Sequence, residues 1–336
     1  MTVSEADQVI EKFLLAKNGI FEMRNTFNTA VVNTLWQIVA SKRLESDDPR
    51  TEKIIEMVNS QVEGVSLWNF FPNIRKQFPP NFLKQDRDAL QIKSMMKELI
   101  AEHLQDIDYE NPRDFIDIYL SEMKMGNNKY FNENQLVVIC VDFFIAGGET
   151  TSTTLLWAVM YMALYPKIQR NCQSEILEQV GSRSPSINDI PNLPYVMATL
   201  MEIQRISIVA PGSLPHILTK DLTFENYHFK KGTVFISNIT KFLMNPEIFH
   251  NPKSFNPNRF LDKSGKLVKF DQFVPFGLGK RVCMGESLAK NELFLFFVRM
   301  LQKVSFEQTV NKPDVNNKTY GITTLPKPFE VKVVAK

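Results

Sequence analysis

Phe276-Gly277-Leu278-Gly279-Lys280-Arg281-Val282-Cys283-Met284-Gly285 is a glycine-loosened loop that delivers one cysteine to the start of an apolar helical stretch. A cysteine at a helix N-terminus sits among unpaired backbone amides and at the positive end of the helix dipole, and both favour thiolate over thiol. A thiolate held in this way is a strong ligand for iron. Glycines at 277, 279 and 285 let the backbone turn tightly and approach a flat ligand. Phe276 can shield the sulfur from water, and Arg281 offers a planar fork to a carboxylate. The ligand these parts suit is haem.

An isolated cysteine is usually a small buried hydrophobe, and Cys140 and Cys172 are read that way. Cys283 differs because of its frame. F-x-x-G-x-R-x-C-x-G fixes five residue types, here Phe276, Gly279, Arg281, Cys283 and Gly285; a chance match in a chain this long is on the order of one in ten thousand. At all five positions the loop resembles the haem-thiolate signature of the cytochrome P-450 superfamily. The resemblance implies a mainly α fold, with a helical bundle around heme b and small β-sheets. It also makes Cys283 the axial ligand of the haem iron, with Phe276 and Gly285 beside it.

The bulk composition agrees with a large globular core. The chain has 336 residues, 44% of them hydrophobic, and a formal charge of +2 from 39 basic and 37 acidic side chains. Charges are interspersed, so no nucleic-acid surface is expected. Three cysteines argue against a disulfide framework and for a reducing compartment. The first residues, Met1-Thr2-Val3-Ser4-Glu5-Ala6-Asp7, have neither the basic flank nor the apolar core of a signal peptide, and no membrane anchor is expected there. Two apolar runs, Leu136 to Ala146 and Leu155 to Tyr165, are each too short for a bilayer; they read as one buried helix with a polar waist at residues 147–154.

Working outward, residues 1–210 read as mostly helical. Apolar spacing of three and four predicts helical segments from Ala6 to Ala40, Arg50 to Val62, Arg87 to Asp106 and Arg113 to Met123. Residues 211–270 read as a small sheet and a meander: Leu222 to Ile239 has strand composition, and Pro246, Pro252 and Pro257 mark irregular chain. Residues 271–336 hold the cysteine loop, a helix with Leu288, Leu293, Phe296, Phe297 and Met300 on one face, and a strand-like tail from Ile322 to Val334. All of it is taken as one domain, 1–336, incomplete relative to the family pattern.

Three further constellations carry chemistry. In Ala146-Gly147-Gly148-Glu149-Thr150-Thr151, small residues stand where a cofactor face can press on a helix, and a glycine pair with hydroxyls suggests a local opening of the helix. Plain Gly-Gly packing between helices is the alternative. The stretch resembles the superfamily's oxygen-activating A-G-x-E-T-T, which implies haem contact for Ala146 and Gly147, oxygen activation for Thr150 and proton relay for Glu149. Glu202-Ile203-Gln204-Arg205 is by itself an ordinary helical ion pair. By resemblance it is the E-x-x-R pair, which with Arg259 supports the cysteine loop; Asn258 stands where many relatives carry glutamate. His216, after Pro215, reads as a loop residue; the resemblance makes it, with Arg281, a partner of the haem propionates. His103, His228 and His250 show no clustering that suggests a metal site.

The likeness reaches from Asn33-Thr34-Leu35-Trp36 to the last residues. Within the superfamily it is closest to the animal microsomal family-2 type, through Asn111-Pro112-Arg113-Asp114-Phe115-Ile116-Asp117, Leu214-Pro215-His216 and Gly321-Ile322-Thr323-Thr324-Leu325-Pro326. It implies a monooxygenase acting on small apolar substrates (xenobiotics, fatty acids or other organic acids) with dioxygen and electrons from a flavoprotein NADPH reductase. The implied location is the cytoplasmic side of the endoplasmic reticulum, or the cytoplasm without an anchor. Relatives carry a long segment ahead of the residue that is Met1 here, so a haem-binding or inactive chain without turnover is the alternative. Trp68 to Phe71, with Phe143, Phe144, Ile208 and Val209, are expected either to line an apolar pocket or to pack in the core. The aromatic stretch is also the expected point of any peripheral membrane contact.

Overall fold

Two residues in the left-handed region, Gly19 (φ 71°) and Asn25 (φ 50°), bracket a break in the first expected helical segment. Helix α1 (Thr2–Leu14) is followed by strand β1 (Ile20–Met23) and then helix α2 (Asn28–Ala40). The expectation of helix from Ala6 to Ala40 is corrected accordingly: Ile20 to Met23 pair antiparallel with Lys332 to Phe329 near the C-terminus. Long-range strand pairing overrides local spacing there.

The structure is a computed structural model that describes residues 1–16, 19–45, 48–62, 77–79, 81–126 and 130–336. The aromatic stretch Trp68 to Phe71 lies outside the described residues. After α2 come helices α3 (Pro49–Val62), α4 (Lys84–Asp106), α5 (Phe115–Met125), α6 (Glu133–Leu164), α7 (Pro166–Gln179) and α8 (Pro194–Ser207). Short strands β2 (His216–Ile217), β3 (Leu222–Phe224), β4 (Tyr227–Phe229) and β5 (Val234–Phe235) lead to α9 (Ile239–Leu243) and the meander. The chain ends with α10 (Glu286–Lys303), β6 (Val304–Gln308), β7 (Lys318–Tyr320), β8 (Thr324–Pro326) and β9 (Phe329–Ala335). The fold is mainly α with small sheets.

Local chemistry sets several boundaries. Asp114 caps α5 by accepting from the Asp117 amide at 3.0 Å, and Asn132 caps α6 by accepting from the Gln135 amide at 3.0 Å. Pro166 bars continuation of α6 and opens α7 at its first position. Strands β1, β9 and β6 form an antiparallel sheet in that order. The strand-like stretch from Leu222 to Ile239 is not one sheet: β3 pairs with β4, whereas β5 reaches back to β2, with Phe235 opposite His216.

Helix α6, 32 residues long, is the centre of the molecule. One face of its first half, Leu136, Val137, Cys140 and Phe144, is buried in an apolar cluster with α2, α3, α4 and α5. Its second half, Leu155 to Ala163, is buried in another with α1, α7, α8, α10 and the β1-β9-β6 sheet. By length and composition it is long enough to cross a membrane, alone among the described residues; here its second half is covered by other elements and its first half on one face. The polar waist falls where the two clusters meet. Phe13 knits the second cluster, with ring centroids 4.9 Å from Phe21, 6.1 Å from Phe27 and 5.7 Å from Phe306 in edge-to-face contacts.

Candidate haem site

The cysteine loop is closed by its own backbone. The Cys283 amide donates to the Phe276 carbonyl at 3.0 Å, and the Val282 amide to the Gly279 carbonyl at 3.1 Å. Gly277 and Gly279 make this closure possible, with φ of 81° and 76°, a region costly for other residues. Gly285 is the N-cap of α10, and the Cys283 carbonyl accepts from the Glu286 amide at 3.3 Å. The cysteine therefore stands just ahead of the first turn, its thiol free and exposed. Leu278, Val282 and Met284 around it are exposed as well, at 71%, 41% and 78%. The half-buried Phe276 ring lies under Lys290, 5.5 Å from its ammonium.

Helix α10 packs against α6, and Leu288 lies on the apolar cluster that holds Phe144. On α6 the positions Val138, Asp142 and Ala146, one helical step of four apart, are exposed, and Thr150 next in line is half-buried. The Thr150 hydroxyl donates to the Ala146 carbonyl at 2.9 Å. The expected local opening does not occur: α6 is continuous through the waist, with Ser152 and Thr154 also donating to carbonyls four residues back. Gly147 and Gly148 face α2, where a Cβ would come within 2.5 Å of Leu35 Cδ2 and 2.6 Å of Val32 Cγ2. Both glycines thus serve close packing of α6 on α2. Glu149 is 1% exposed and accepts from Asn28 at 3.3 Å and from the Thr153 hydroxyl at 3.0 Å.

The ion-pair trio assembles under the meander. Arg205 and Glu202, both 0% exposed, form a two-pronged pair, Nε to Oε2 at 2.7 Å and Nη2 to Oε1 at 2.9 Å. Arg205 also donates to the carbonyls of Leu243 and Pro252 at 3.1 and 2.8 Å. Arg259 Nε lies 3.0 Å from Glu202 Oε2, and its other nitrogens donate to the carbonyls of His250 and Ser254. The trio fastens residues 243–259, the chain leading to the cysteine loop.

Other expected residues are less tied. His216 and Arg281 are exposed, and no hydrogen bond or ion pair joins them to each other among the described residues. Phe144 is a core residue, 4.8 Å from Trp36, and Phe143 packs half-buried against Phe115. His103 is not isolated: its Nε2 is 3.0 Å from Asp114, and candidate ligand atoms of His103, Asp114 and Asp117 lie within 4.8 Å of one another. Arg113 already fills this cluster, donating to Asp117 at 2.7 and 3.2 Å, so it is a knot at the head of α5.

The donor set fits haem. One exposed thiol, uncovered apolar residues around it, the open Ala146 on the helix packed alongside, and the exposed Arg281 guanidinium and His216 ring suit a flat apolar ring with acidic edges. The family described as Cytochrome P450 matches residues 1–333. The chain belongs to the cytochrome P450 family. This cytochrome P450 is 42% identical to human cytochrome P450 2U1 over 91% of its own length and 58% of that protein's. It is 42% identical to the bovine 2U1 protein (96% and 63%) and 32% identical to rabbit cytochrome P450 2B4 (99% and 70%). The chain spans 58 to 65% of the length of the 2U1 proteins it matches.

Sequence reading missed Glu292 and Asn28. Glu292 lies four residues from both Leu288 and Phe296 and is 3% exposed, so an acid interrupting an apolar face was the available signal. Asn28 meets Glu149 across 121 positions of chain, which local sequence does not announce.

Proposed function

We propose that this cytochrome P450 is a haem-thiolate monooxygenase that oxidises small apolar organic substrates with dioxygen and electrons from a flavoprotein NADPH reductase. The observation that carries the reading is the exposed Cys283 thiol at the head of α10, presented by a loop that its own amide closes onto Phe276. Cys283 would hold the haem iron through its sulfur, with Phe276 and Gly285 flanking it; Arg281 and His216 would hold the propionates, and Ala146 would be the flat wall against the ring. When bound, heme b supplies the iron at which dioxygen is reductively activated.

The protein's own share is positioning and proton control. Thr150 holds a hydroxyl proton at the wall of the ring site, parked on the Ala146 carbonyl and free to rotate toward a ligand. Glu149, fixed by Asn28 and Thr153, keeps the waist polar and is the relay acid behind Thr150. Gly147 and Gly148 keep α6 close to α2 and so fix the wall's position. We place the protein on the cytoplasmic side of the endoplasmic reticulum, the location the family-2 resemblance implies.

The test is haem reconstitution of the purified chain and its reduced carbon-monoxide difference spectrum beside that of Cys283→Ser. A thiolate-type spectrum lost in the variant is expected. No haem uptake, or an imidazole-type spectrum in both, refutes the reading. Product formation with reductase then separates a monooxygenase from a haem-binding chain without turnover.

A further inference from the structure

His103, in the last turn of α4, is 4% exposed, and both of its ring nitrogens face acceptors. Nδ1 lies 2.8 Å from the Leu99 carbonyl, and Nε2 lies 3.0 Å from Oδ2 of Asp114, whose side chain is 0% exposed. A carbonyl oxygen only accepts, and a neutral imidazole carries one N–H. Whichever tautomer a neutral ring adopts, one nitrogen meets an oxygen with no proton between them, so the arrangement requires a second proton. Asp114 Oδ1 accepts from the Asp117 amide at 3.0 Å as the cap of α5, a bond that favours the carboxylate, and the C-terminal turn of α4 favours a cation. The second proton therefore belongs on the ring.

We propose that His103 and Asp114 form a proton-operated latch, an imidazolium–carboxylate pair that fastens the end of α4 to the head of α5 and lets go when the ring proton leaves. The proton has an exit. A polar cleft of about 170 Å3 opens onto His103 between Ser41, Lys42, Glu102, Asp106 and Arg113, with room for several waters. Release is a proton transfer alone: the N–H bond at Nε2 breaks, water takes the proton, and two lone pairs are left facing each other across 3.0 Å. Nothing is oxidised or reduced in it. Closed, the latch holds α5 against α6, where Phe115 packs on Phe143 at 5.3 Å, next in chain to the exposed Asp142. The inference stands apart from the haem-thiolate reading, since none of its groups belongs to the ring site.

The charges around the pair favour its closed form. On α4 itself, the Arg113 fork holds Asp106 below the usual carboxylate range, and the His103 charge adds to it. On α5, burial pushes the Asp117 carboxyl up, but its bonds to Arg113 outweigh that and the His103 charge adds to them, so it too sits below the usual range. Arg113 is the competing cation. It is engaged by Asp106 at 2.9 Å and Asp117 at 2.7 Å, which leaves Asp114 to His103. From the turn after α2, Lys42 pairs with Glu102 of α4 at 3.2 Å on the cleft rim. Helix α6 contributes Cys140, a thiol that burial and the Asp114 charge push up to about 12, so it stays neutral. Three acids, Asp106, Asp114 and Asp117, thus meet two cations, Arg113 and the protonated ring.

The experiment uses the purified chain with its histidines labelled with nitrogen-15. His216, His228 and His250 are exposed, so the ring whose N–H groups exchange slowly with water is that of His103. At about pH 7.5, where an ordinary histidine is mostly neutral, this ring should show two N–H groups, and His103→Gln should delete both. In urea unfolding the parent should lose stability relative to His103→Gln as pH rises from about 6 to 8, because the unfolded ring gives up its proton first; the ratio of their unfolding constants should shift about tenfold or more. In Asp114→Asn the amide oxygen keeps the cap of α5 and the amide nitrogen donates to a singly protonated ring, so that shift should vanish. One N–H group on the parent ring at the same pH, parallel stability curves for the parent and His103→Gln, or a shift that survives Asp114→Asn overturns the latch. The proton count is read on the parent, so it tests the latch even where a variant does not fold.

Discussion

Replacing Glu202 with leucine should be among the most damaging single changes outside the apolar core. The carboxylate is 0% exposed and takes both prongs of Arg205 (2.7 and 2.9 Å) and the Asn256 amide (2.8 Å), with Arg259 Nε 3.0 Å away. Breaking a buried pair from one side costs about 3 to 5 kcal/mol, because the remaining charge has no water to return to. Arg205 is 0% exposed and would be stranded in this way, so Glu202→Leu belongs near about 5 kcal/mol. Arg259→Leu should cost less, about 1 to 2 kcal/mol. Its Nε is close to Glu202 but not aligned to hydrogen-bond, its side chain keeps 10% exposure, and Glu202 retains Arg205 and the Asn256 amide without it. In the double variant Glu202→Leu/Arg205→Leu the inner pair vanishes together, and the loss should fall short of the sum of the single losses by about 2 kcal/mol or more. Urea denaturation midpoints of Glu202→Leu, Arg205→Leu, Arg259→Leu and the double variant measure all four, and hydrogen exchange over residues 243–259 should report the meander loosening first in Glu202→Leu. Equal costs for Glu202→Leu and Arg259→Leu, or strict additivity in the double variant, would refute the ranking and the desolvation argument behind it.

Other perturbations follow from the same geometry. Glu292 has a folded pKa of about 8 against 4.5 for the free acid. As pH rises between those values the unfolded chain ionises while the folded one holds its proton, so stability falls by up to about 1.4 kcal/mol per pH unit from this group. Thermal melts from pH 5 to 8 should show Glu292→Gln gaining on the parent as pH rises; parallel curves would contradict the buried neutral acid. Gly148→Ala should cost about 1 to 3 kcal/mol and more than Gly147→Ala, since Val32 is stiff at χ1 while Leu35 offers only the end of a flexible side chain. Melting temperatures in the opposite order would argue against the close α2–α6 approach. Phe13→Ala should cost about 3 to 5 kcal/mol by emptying the ring cluster with Phe21, Phe27 and Phe306; a urea midpoint shift equivalent to under about 1 kcal/mol would mean that the cluster collapses around the gap.

What could be read in advance depended on how far each interaction reaches along the chain. The cysteine loop was legible because its closure is local: the hydrogen bond from Cys283 to Phe276 and the two left-handed glycines are contained in the stretch that spells them. The split between α1 and α2 was not, because β1 exists only through a partner strand about three hundred residues away, and the apolar spacing runs unbroken across it. The waist of α6 shows the limit most clearly. Its composition marked the stretch as special, yet glycines and hydroxyls on a helix serve different neighbours 100° apart, and which neighbour is which depends on the packing of α2 and α10. Gly147 therefore turned out to face Leu35, Ala146 to lie open, and Thr151, the least remarked of the threonines, to meet a buried acid on the helix that carries the cysteine. A motif matched as a string assigns one role to adjacent residues; the helix divides them among three faces.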